Sequence, residues 1–369
     1  MKFEIRRENF LKALTHGQNV VEKRTTVPIL ANTLLHAENG KLIITFTDLE
    51  LSLIEAIDAS VTQVGATTVP AHRLFEIVRK LIPGSDIACE LIPDTQQLKL
   101  VSGACEFNIS CLPADDFPTV QRTSLHHNFS MPAKDLFTVL DQVRFAMSNE
   151  EARYYLNGVL LHPKGAQEMR AVATDGHRLA RASFYVSTNV EKLPPVIISR
   201  KCVNELAKLI GESEGAIDLS ISDTQIAFTL GNAYLTSRLI DGTFPDYEAV
   251  IPKVNDKLLE LDAKQLSESV DRVATMASDK EYGVRMNLSE GALLLSAVSS
   301  ESGRAHEKIS VLYSGEGLEI GFNARYLLDI FHKSSSGRVE IALSDASSPV
   351  LIRDPGNSAA IFVVMPMRV

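Results

Sequence analysis

The 369-residue sequence has little of what marks a membrane protein, a metalloprotein or an enzyme with covalent chemistry. No apolar run approaches the roughly 20 residues that a helix needs to cross a bilayer. Even IFVVM at 361–365 is bounded by Pro366 and Arg368. The N-terminal MKFEIRRENFLK alternates charge with hydrophobe and has no apolar signal core, so a cytoplasmic protein with no membrane partner is expected. Four cysteines, Cys89, Cys105, Cys111 and Cys202, show neither CxxC nor a His/Cys metal spacing. The expectation is buried, reduced thiols, with no metal and no cofactor. His126-His127 has no third ligand nearby and reads as loop. GxSxG and P-loop strings are absent, and GEGLEIG at 315–321 has its third glycine one position late for a dinucleotide fingerprint, with no helix starting inside it.

The most enzyme-like string is TDGHRLA at 174–180. Asp175 and His177 share a strand face at i, i+2, but acid–base chemistry needs an orienting third group that the string does not supply. Asp115-Asp116 sits in a turn-like context, where solvated carboxylates are the ordinary case. An α+β enzyme using Asp175 and His177 is therefore a second reading of the chain, and a non-ring scaffold of three repeats is a third.

What the chain has is repetition. LPADDFPTV at 112–120 is echoed by LIDGTFPDYEAV at 239–250, with Leu112 and Phe117 recurring as Leu239 and Phe244, 127 residues on. Helical periodicity appears at 8–24, 133–148 and 263–278, where Phe10, Leu136 and Leu266 align. A second helical set lies at 71–82, 200–211 and 324–334, aligning Glu76, Glu205 and Asp329. Both sets carry the apolar stripe of an amphipathic helix. Alternating β-type runs lie between and after them, and Thr47-Asp48 returns as Thr174-Asp175. One unit of strand, helix, strands, helix, strands is thus written three times. The expected fold class is α+β: three similar domains of antiparallel sheets with two helices each, at 1–122, 128–251 and 252–369. At the FP sites Phe is expected in the core of its unit and Pro at the end of the last strand.

Net charge is −9, which taken alone argues against nucleic acid. The six helical segments, however, hold 15 Lys and Arg against 9 Asp and Glu, so they carry +6 and the remainder carries −15. Lys and Arg as helix formers on a solvated face account for this in the simplest way. The alternative is a basic surface built from helices, suited to a polyanion held without reading its sequence.

Across essentially its whole length the chain also resembles the bacterial replicative sliding clamp, the beta subunit of DNA polymerase III. The resemblance is carried by MKFEI, TVPILANTLL (26–35), TDLEL (47–51), GATTVPA (65–71), LPADDFP (112–118), RYYLNGVLL (153–161), VATDGHRLA (172–180), DGTFPDY (241–247), IGFNARYLLDI (320–330) and VVMPMRV (363–369). It implies a chain that is half of a ring, closed by a second copy head to tail. Helices line the hole and sheets form the outer wall. The function implied is that of a non-catalytic processivity factor, which tethers the polymerase to double-stranded DNA of any sequence. Arg24, His72, Arg73, Arg200 and Lys201 are the DNA-facing residues it implies. It further implies a peptide pocket between the second and third domains, formed by Leu156, Thr174, Gly176, His177, Arg178, Leu179, Pro245, Val250, Val363, Met365, Pro366 and Met367, with Arg153, Tyr155, Asn323 and Tyr326 adjoining. The partners implied there are the DNA polymerase III alpha subunit, the clamp loader, and other clamp-binding polymerases and repair proteins. Apolar surface beside flexible methionines suits such docking, Gly176 would let a peptide approach the backbone, and Arg and Tyr would supply anchors. VVMPM reads as a core strand at Val364 but not at both methionines. Three features depart from the family pattern: Glu248-Ala249 replaces the basic residues that many relatives have after FPDY, Pro349 stands in DASSPV, and FPTV of the first repeat lacks the tyrosine of the second.

Overall fold

The computed structural model describes residues 1–120, 125–211, 213–278, 282–300 and 303–368. The expected boundary at 122 and the last residue, 369, lie outside them. Among the described residues six α-helices form: α1, Arg7–Gly17; α2, Ala71–Lys80; α3, Ala133–Val143; α4, Arg200–Ile210; α5, Ala263–Ala274; and α6, Ala324–Phe331. Their apolar stripes are inside, with Phe10 and Leu14, Leu74 and Val78, Leu136 and Leu140, Val203 and Leu206, Leu266 and Val270, and Leu327 and Ile330 all buried. Three of them start on a polar side chain that takes up an orphan backbone N–H. Ser199 accepts from Cys202, Asp262 from Gln265, and Asn323 from Arg325.

The periodicity at 8–24 overran the first helix. α1 stops at Gly17, yet Val20 and Val21 beyond it are buried, so the apolar spacing continues past the helix. Likewise α3 stops at Val143 and passes into a 3-10 turn, Arg144–Ala146, whose Arg144 folds back onto Asp141 at 2.7 Å.

The chain forms two compact units. The first comprises Met1–Phe137, Val186–Thr188 and Ile198–Ile240; the second comprises Thr138–Tyr185, Asn189–Ile197 and Asp241–Val369. The middle repeat thus contributes to both. In the first unit a five-stranded antiparallel sheet runs Ser60–Gln63, Lys2–Arg6, Asp86–Ile92, Gln97–Ser102, Cys105–Ser110. An eight-stranded sheet runs His127–Pro132, Ala216–Ile221, Gln225–Leu230, Ala233–Arg238, Leu51–Asp58, Lys41–Thr47, Asn32–Glu38, Gly65–Pro70. Its centre joins strands of the first and second repeats, Ala233–Arg238 against Leu51–Asp58. Helices α1 and α2 pack together in this unit, and Arg7 fastens them by donating to the last carbonyls of α2, Val78 at 3.2 Å and Arg79 at 2.7 Å.

In the second unit one sheet includes, in order, Gly158–Pro163, Glu168–Thr174, Arg178–Tyr185, Asn357–Val364, Val350–Asp354, Arg338–Leu343, Lys257–Asp262. It joins the second and third repeats through Arg178–Tyr185 against Asn357–Val364. A four-stranded sheet runs Gly303–Ser310, Ala292–Ser299, Gly283–Ser289, Leu318–Asn323, and α5 packs on α6. Every ladder named is antiparallel, including those that join one repeat to the next.

The echo between 112 and 239 has a structural cause. Leu112 bridges to Thr68 in the strand before α2, and Leu239 bridges to Ile198 in the strand before α4. The FP dipeptides behave differently from each other: Phe117 is buried, whereas Phe244 is only half-buried. Neither proline ends a strand, since the preceding strands already stop at Ser110 and Arg238. His127 opens a strand instead of lying in a loop. Cys89, Cys111 and Cys202 are buried free thiols, and burial pushes Cys202 up to about 12. Cys105 is exposed, contrary to the expectation of buried thiols.

Candidate functional site: a peptide-sized cleft and a basic groove

The floor of the cleft is one rank of side chains across three adjacent strands of the second unit. Thr174 lies opposite Leu179, and Leu179 opposite Val363. Directly paired residues of antiparallel strands share a face, so pairing register alone brings these together. A cavity of about 280 Å³ opens above them. Arg153, Tyr155 and Leu156 line it from the 3-10 segment Glu151–Leu156, Gly176 and Arg178 from a turn, Pro245 and Val250 from the segment before the third repeat, and Met365 from the end of Asn357–Val364. Eleven of the sixteen residues implied for the pocket therefore converge. Asp246 and Tyr247 line it as well and were missed. The run FPDY held them, but only the fold shows which way that run turns.

The TDGHR turn frames the cleft. Thr174 Oγ1 donates to the Arg178 carbonyl at 2.7 Å and accepts from the Gly176 N–H at 3.1 Å. Asp175 Oδ1 accepts from the backbone N–H groups of His177 and Arg178, both at 2.9 Å. The carboxylate closes a turn and is not aimed at the His177 ring, so the pair imagined for acid–base chemistry does not form. Gly176 has φ +88°, and a Cβ on it would meet Arg153 Nη1 at 2.4 Å. Its missing side chain makes room for Arg153, which donates to the Asp175 carbonyl at 2.9 Å and pairs with Glu150 at 2.6 Å.

Arg178 is the most heavily used side chain here. It donates to Asp175 at 3.1 Å, to Asp329, and to the Phe145 carbonyl at 2.8 Å. Its guanidinium lies 5.1 Å from the Phe145 ring centre and 4.5 Å from that of Tyr326. His177 and Tyr326 lie nearly parallel, 6.4 Å between ring centres, outside the cavity lining. Asn323 caps α6, and Pro366 and Met367 follow Met365, the Met367 N–H donating to the Gly321 carbonyl at 2.9 Å. These five residues stand beside the cavity and do not line it. Val364 is fully buried, whereas Met365 is 38% exposed, so the tail changes from core to surface within one residue.

The residues implied for DNA lie in the first unit. Lys23, His72 and Arg73 line a shallow groove with Glu76, and His72 is held by the Val21 carbonyl at 3.0 Å. Arg24 and Arg73 are exposed. Of the 15 cations in the helical segments, only Lys23, Arg24, Arg73 and Lys80 have no hydrogen bond, ion pair or ring contact among the described residues. Arg200 is half-buried. Lys201 is held between Glu22 at 2.5 Å and Asp48 at 2.6 Å. Burial opposes its charge, but the two carboxylates outweigh that and raise its pKa. The net basic count of the helices thus overstates how many cations face solvent unpaired. Among the described residues no group of His, Cys, Asp and Glu could hold a metal ion, and no helix is long and apolar enough to cross a membrane.

Three domain models of one family match in order: the N-terminal domain of the DNA polymerase III beta subunit over residues 1–121, the central domain over 130–246, and the C-terminal domain over 248–368. The beta sliding clamps of Caulobacter vibrioides and Escherichia coli are 42% and 38% identical, with both chains covered in full. A sliding clamp from Bartonella birtlesii, solved bound to griselimycin, has 43% identity and a TM-score of 0.96 over the whole of both chains. The Caulobacter crescentus beta sliding clamp, at 42% identity, reaches a TM-score of 0.95 over 100% of this chain and 99% of its own. The chain belongs to the DNA polymerase III beta subunit family, the bacterial sliding clamps.

Proposed function

We propose that this sliding clamp consists of three domains at 1–122, 128–251 and 252–369, closes around duplex DNA as a cytoplasmic homodimer, and docks its partners through the cleft of the second unit. It works as its family does, as a non-catalytic DNA sliding clamp that tethers a polymerase. The finer assignments are that the DNA polymerase III alpha subunit, the clamp loader and other clamp-binding polymerases and repair proteins each insert a peptide into the cleft. The convergence of eleven implied residues over the Thr174–Leu179–Val363 floor carries this reading. A peptide with aromatic and Leu anchors would bury them against this apolar floor, and such anchors are commonly worth about 2 kcal/mol or more each. His177, Tyr326, Asn323, Pro366 and Met367 would contact the flanks of a peptide longer than the cavity. Arg24, His72 and Arg73 would face phosphate in a sequence-blind manner.

The test is calorimetry with a synthetic peptide carrying Leu and Phe anchors, on the full chain and on a chain lacking 365–369, with mass measured in parallel. Loss of peptide binding with the dimer intact is expected. Unchanged affinity would remove the cleft from the proposal, and a monomer at micromolar concentration would remove the ring.

A further inference from the structure

The outer wall of the cleft, Pro245–Val250, is fastened to the sheet by two adjacent side chains, Tyr247 and Glu248. Tyr247 is buried, its ring 5.7 Å from that of His162. Valence fixes the tautomer of the neutral His162 ring. His162 Nδ1 lies 2.9 Å from the Pro163 carbonyl oxygen, which can only accept, so Nδ1 carries the hydrogen and Nε2 of the neutral ring accepts. The Tyr247 hydroxyl, 3.0 Å from Nε2, is therefore the donor in that pair, with Glu248 Oε1 a second and longer acceptor at 3.4 Å. Arg170 Nη1 donates to the hydroxyl oxygen at 3.3 Å and to Glu248 Oε1 at 2.6 Å, and Lys164 Nζ donates to the same carboxylate oxygen at 3.2 Å. His162 and Arg170 are register partners on neighbouring strands, so they are fixed in the sheet, whereas Tyr247 and Glu248 belong to the wall.

We propose that His162 and Arg170 are positioning residues for the peptide cleft, latching Tyr247 and with it the Pro245–Val250 wall, and that acidification releases the latch. The functional half of this inference rests on the reading of the cleft as a peptide site.

A protonated His162 carries hydrogen on Nε2 and offers Tyr247 no lone pair, which leaves the hydroxyl only the longer 3.4 Å contact to Glu248 Oε1 as an acceptor. Its charge would face Arg170 and Lys164, with Glu248 the facing carboxylate; Glu168 is engaged by Arg170 at 3.3 Å, and Arg181 adds a cation to the same cluster. Burial pulls the His162 pKa below its ordinary 6.5, so the latched wall favours the neutral ring. Above that ordinary value the ring is neutral whether latched or free, and pH has no effect through it. As pH falls below it, the released state takes up the proton first and the latched state loses ground.

The test uses the full dimeric chain, a fluorescent peptide with Leu and Phe anchors, and amide hydrogen exchange across 245–250. Tyr247→Phe keeps the ring and removes the hydroxyl, while His162→Gln keeps an acceptor that cannot titrate. Tyr247→Phe is expected to weaken the peptide about three- to tenfold at neutral pH, the worth of one hydrogen bond. Wild-type affinity is expected to fall by a similar factor on acidification below the ordinary histidine range, and the His162→Gln profile is expected to be flat there. Exchange across 245–250 is expected to quicken in Tyr247→Phe and in the acidified wild type. Equal pH slopes in wild type and His162→Gln, or unchanged exchange in Tyr247→Phe, overturn the latch. Should Met365→Asp leave peptide affinity intact, the cleft reading fails, but the exchange experiment needs no peptide and still decides the latch.

Discussion

Two residues show how one turn is solved twice. Thr47-Asp48-Leu49 repeats the hydrogen bonds of Thr174-Asp175-Gly176: Thr47 accepts from the Leu49 N–H at 3.0 Å, and Asp48 accepts from the Glu50 and Leu51 N–H groups at 2.9 and 2.6 Å. Both turns need a positive φ at the third position, +79° at Leu49 and +88° at Gly176. Glycine takes that conformation freely, whereas an L side chain is strained there by about 1–2 kcal/mol. Leu49→Gly is therefore expected to raise stability by up to about 1 kcal/mol after the extra chain entropy of glycine is set against the relief. Gly176→Ala, strained and in collision with Arg153, is expected to cost about 1–3 kcal/mol. Urea unfolding of both variants checks the pair, and a loss of stability in Leu49→Gly would refute the strain argument. The Thr-Asp spacing of the repeat was legible in the sequence. The reason for the glycine was not, because Arg153 reaches Gly176 from a separate segment.

At the scale of elements, Asp354 ties the exit of α6 to the hairpin whose second strand, Asn357–Val364, supplies the cleft floor. Its carboxylate accepts from the Ser335 N–H at 2.7 Å, the Ser335 hydroxyl at 2.9 Å, the Ser336 N–H at 3.1 Å, the Ser336 hydroxyl, and the Gly356 N–H at 2.8 Å. Burial works against the charge, but these donors prevail and hold its pKa down to about 2, against an ordinary 3.8. The sign follows from a carboxylate depressed in the folded state. Its contribution is complete above the unfolded value and is lost as pH falls through the folded one. Asp354→Asn is expected to cost about 1–3 kcal/mol near neutrality, since neutral acceptors replace a charged one and the amide brings a misplaced donor. The variant should also lose less stability than wild type on acidification through that window, measured by denaturant unfolding at a series of pH values. The helices were readable from their stripes, as Phe10 and Leu14 illustrate. Their ends were not, because burial continues at Val20 and Val21 after α1 has ended at Gly17, and apolar spacing reports burial and not the helix itself.

At the scale of the molecule the question is which cations hold DNA. Helix composition pointed to a basic surface, and pairing narrows it. Arg24→Ala with Arg73→Ala is expected to weaken retention on DNA equally for any base sequence, and to lower the salt slope by about 0.9 for each phosphate left without its arginine. Lys201→Ala is expected to change the slope less, because Glu22 and Asp48 already hold its charge. Salt titrations of clamp loaded on circular duplexes of different sequence measure both. A loss that depends on base sequence, or a larger slope change for Lys201→Ala than for either arginine, would contradict the assignment.

The repeat, the α+β class and the family were present in the linear chain, since periodicity and apolar spacing are local properties that survive without a fold. Even the echo of Leu112 in Leu239 was visible before its cause, a bridge back to the strand that leads into α2 or α4. Tertiary structure alone decided which strands of different repeats pair, and so which side chains share the rank Thr174, Leu179 and Val363. It also decided that Lys201 is ion-paired with Glu22 and Asp48, that Arg178 is held by Asp329 and the Phe145 carbonyl, and that Tyr247 belongs to the cleft wall. Each of these depends on residues far apart in sequence meeting at hydrogen-bond distance, and no local pattern encodes that meeting.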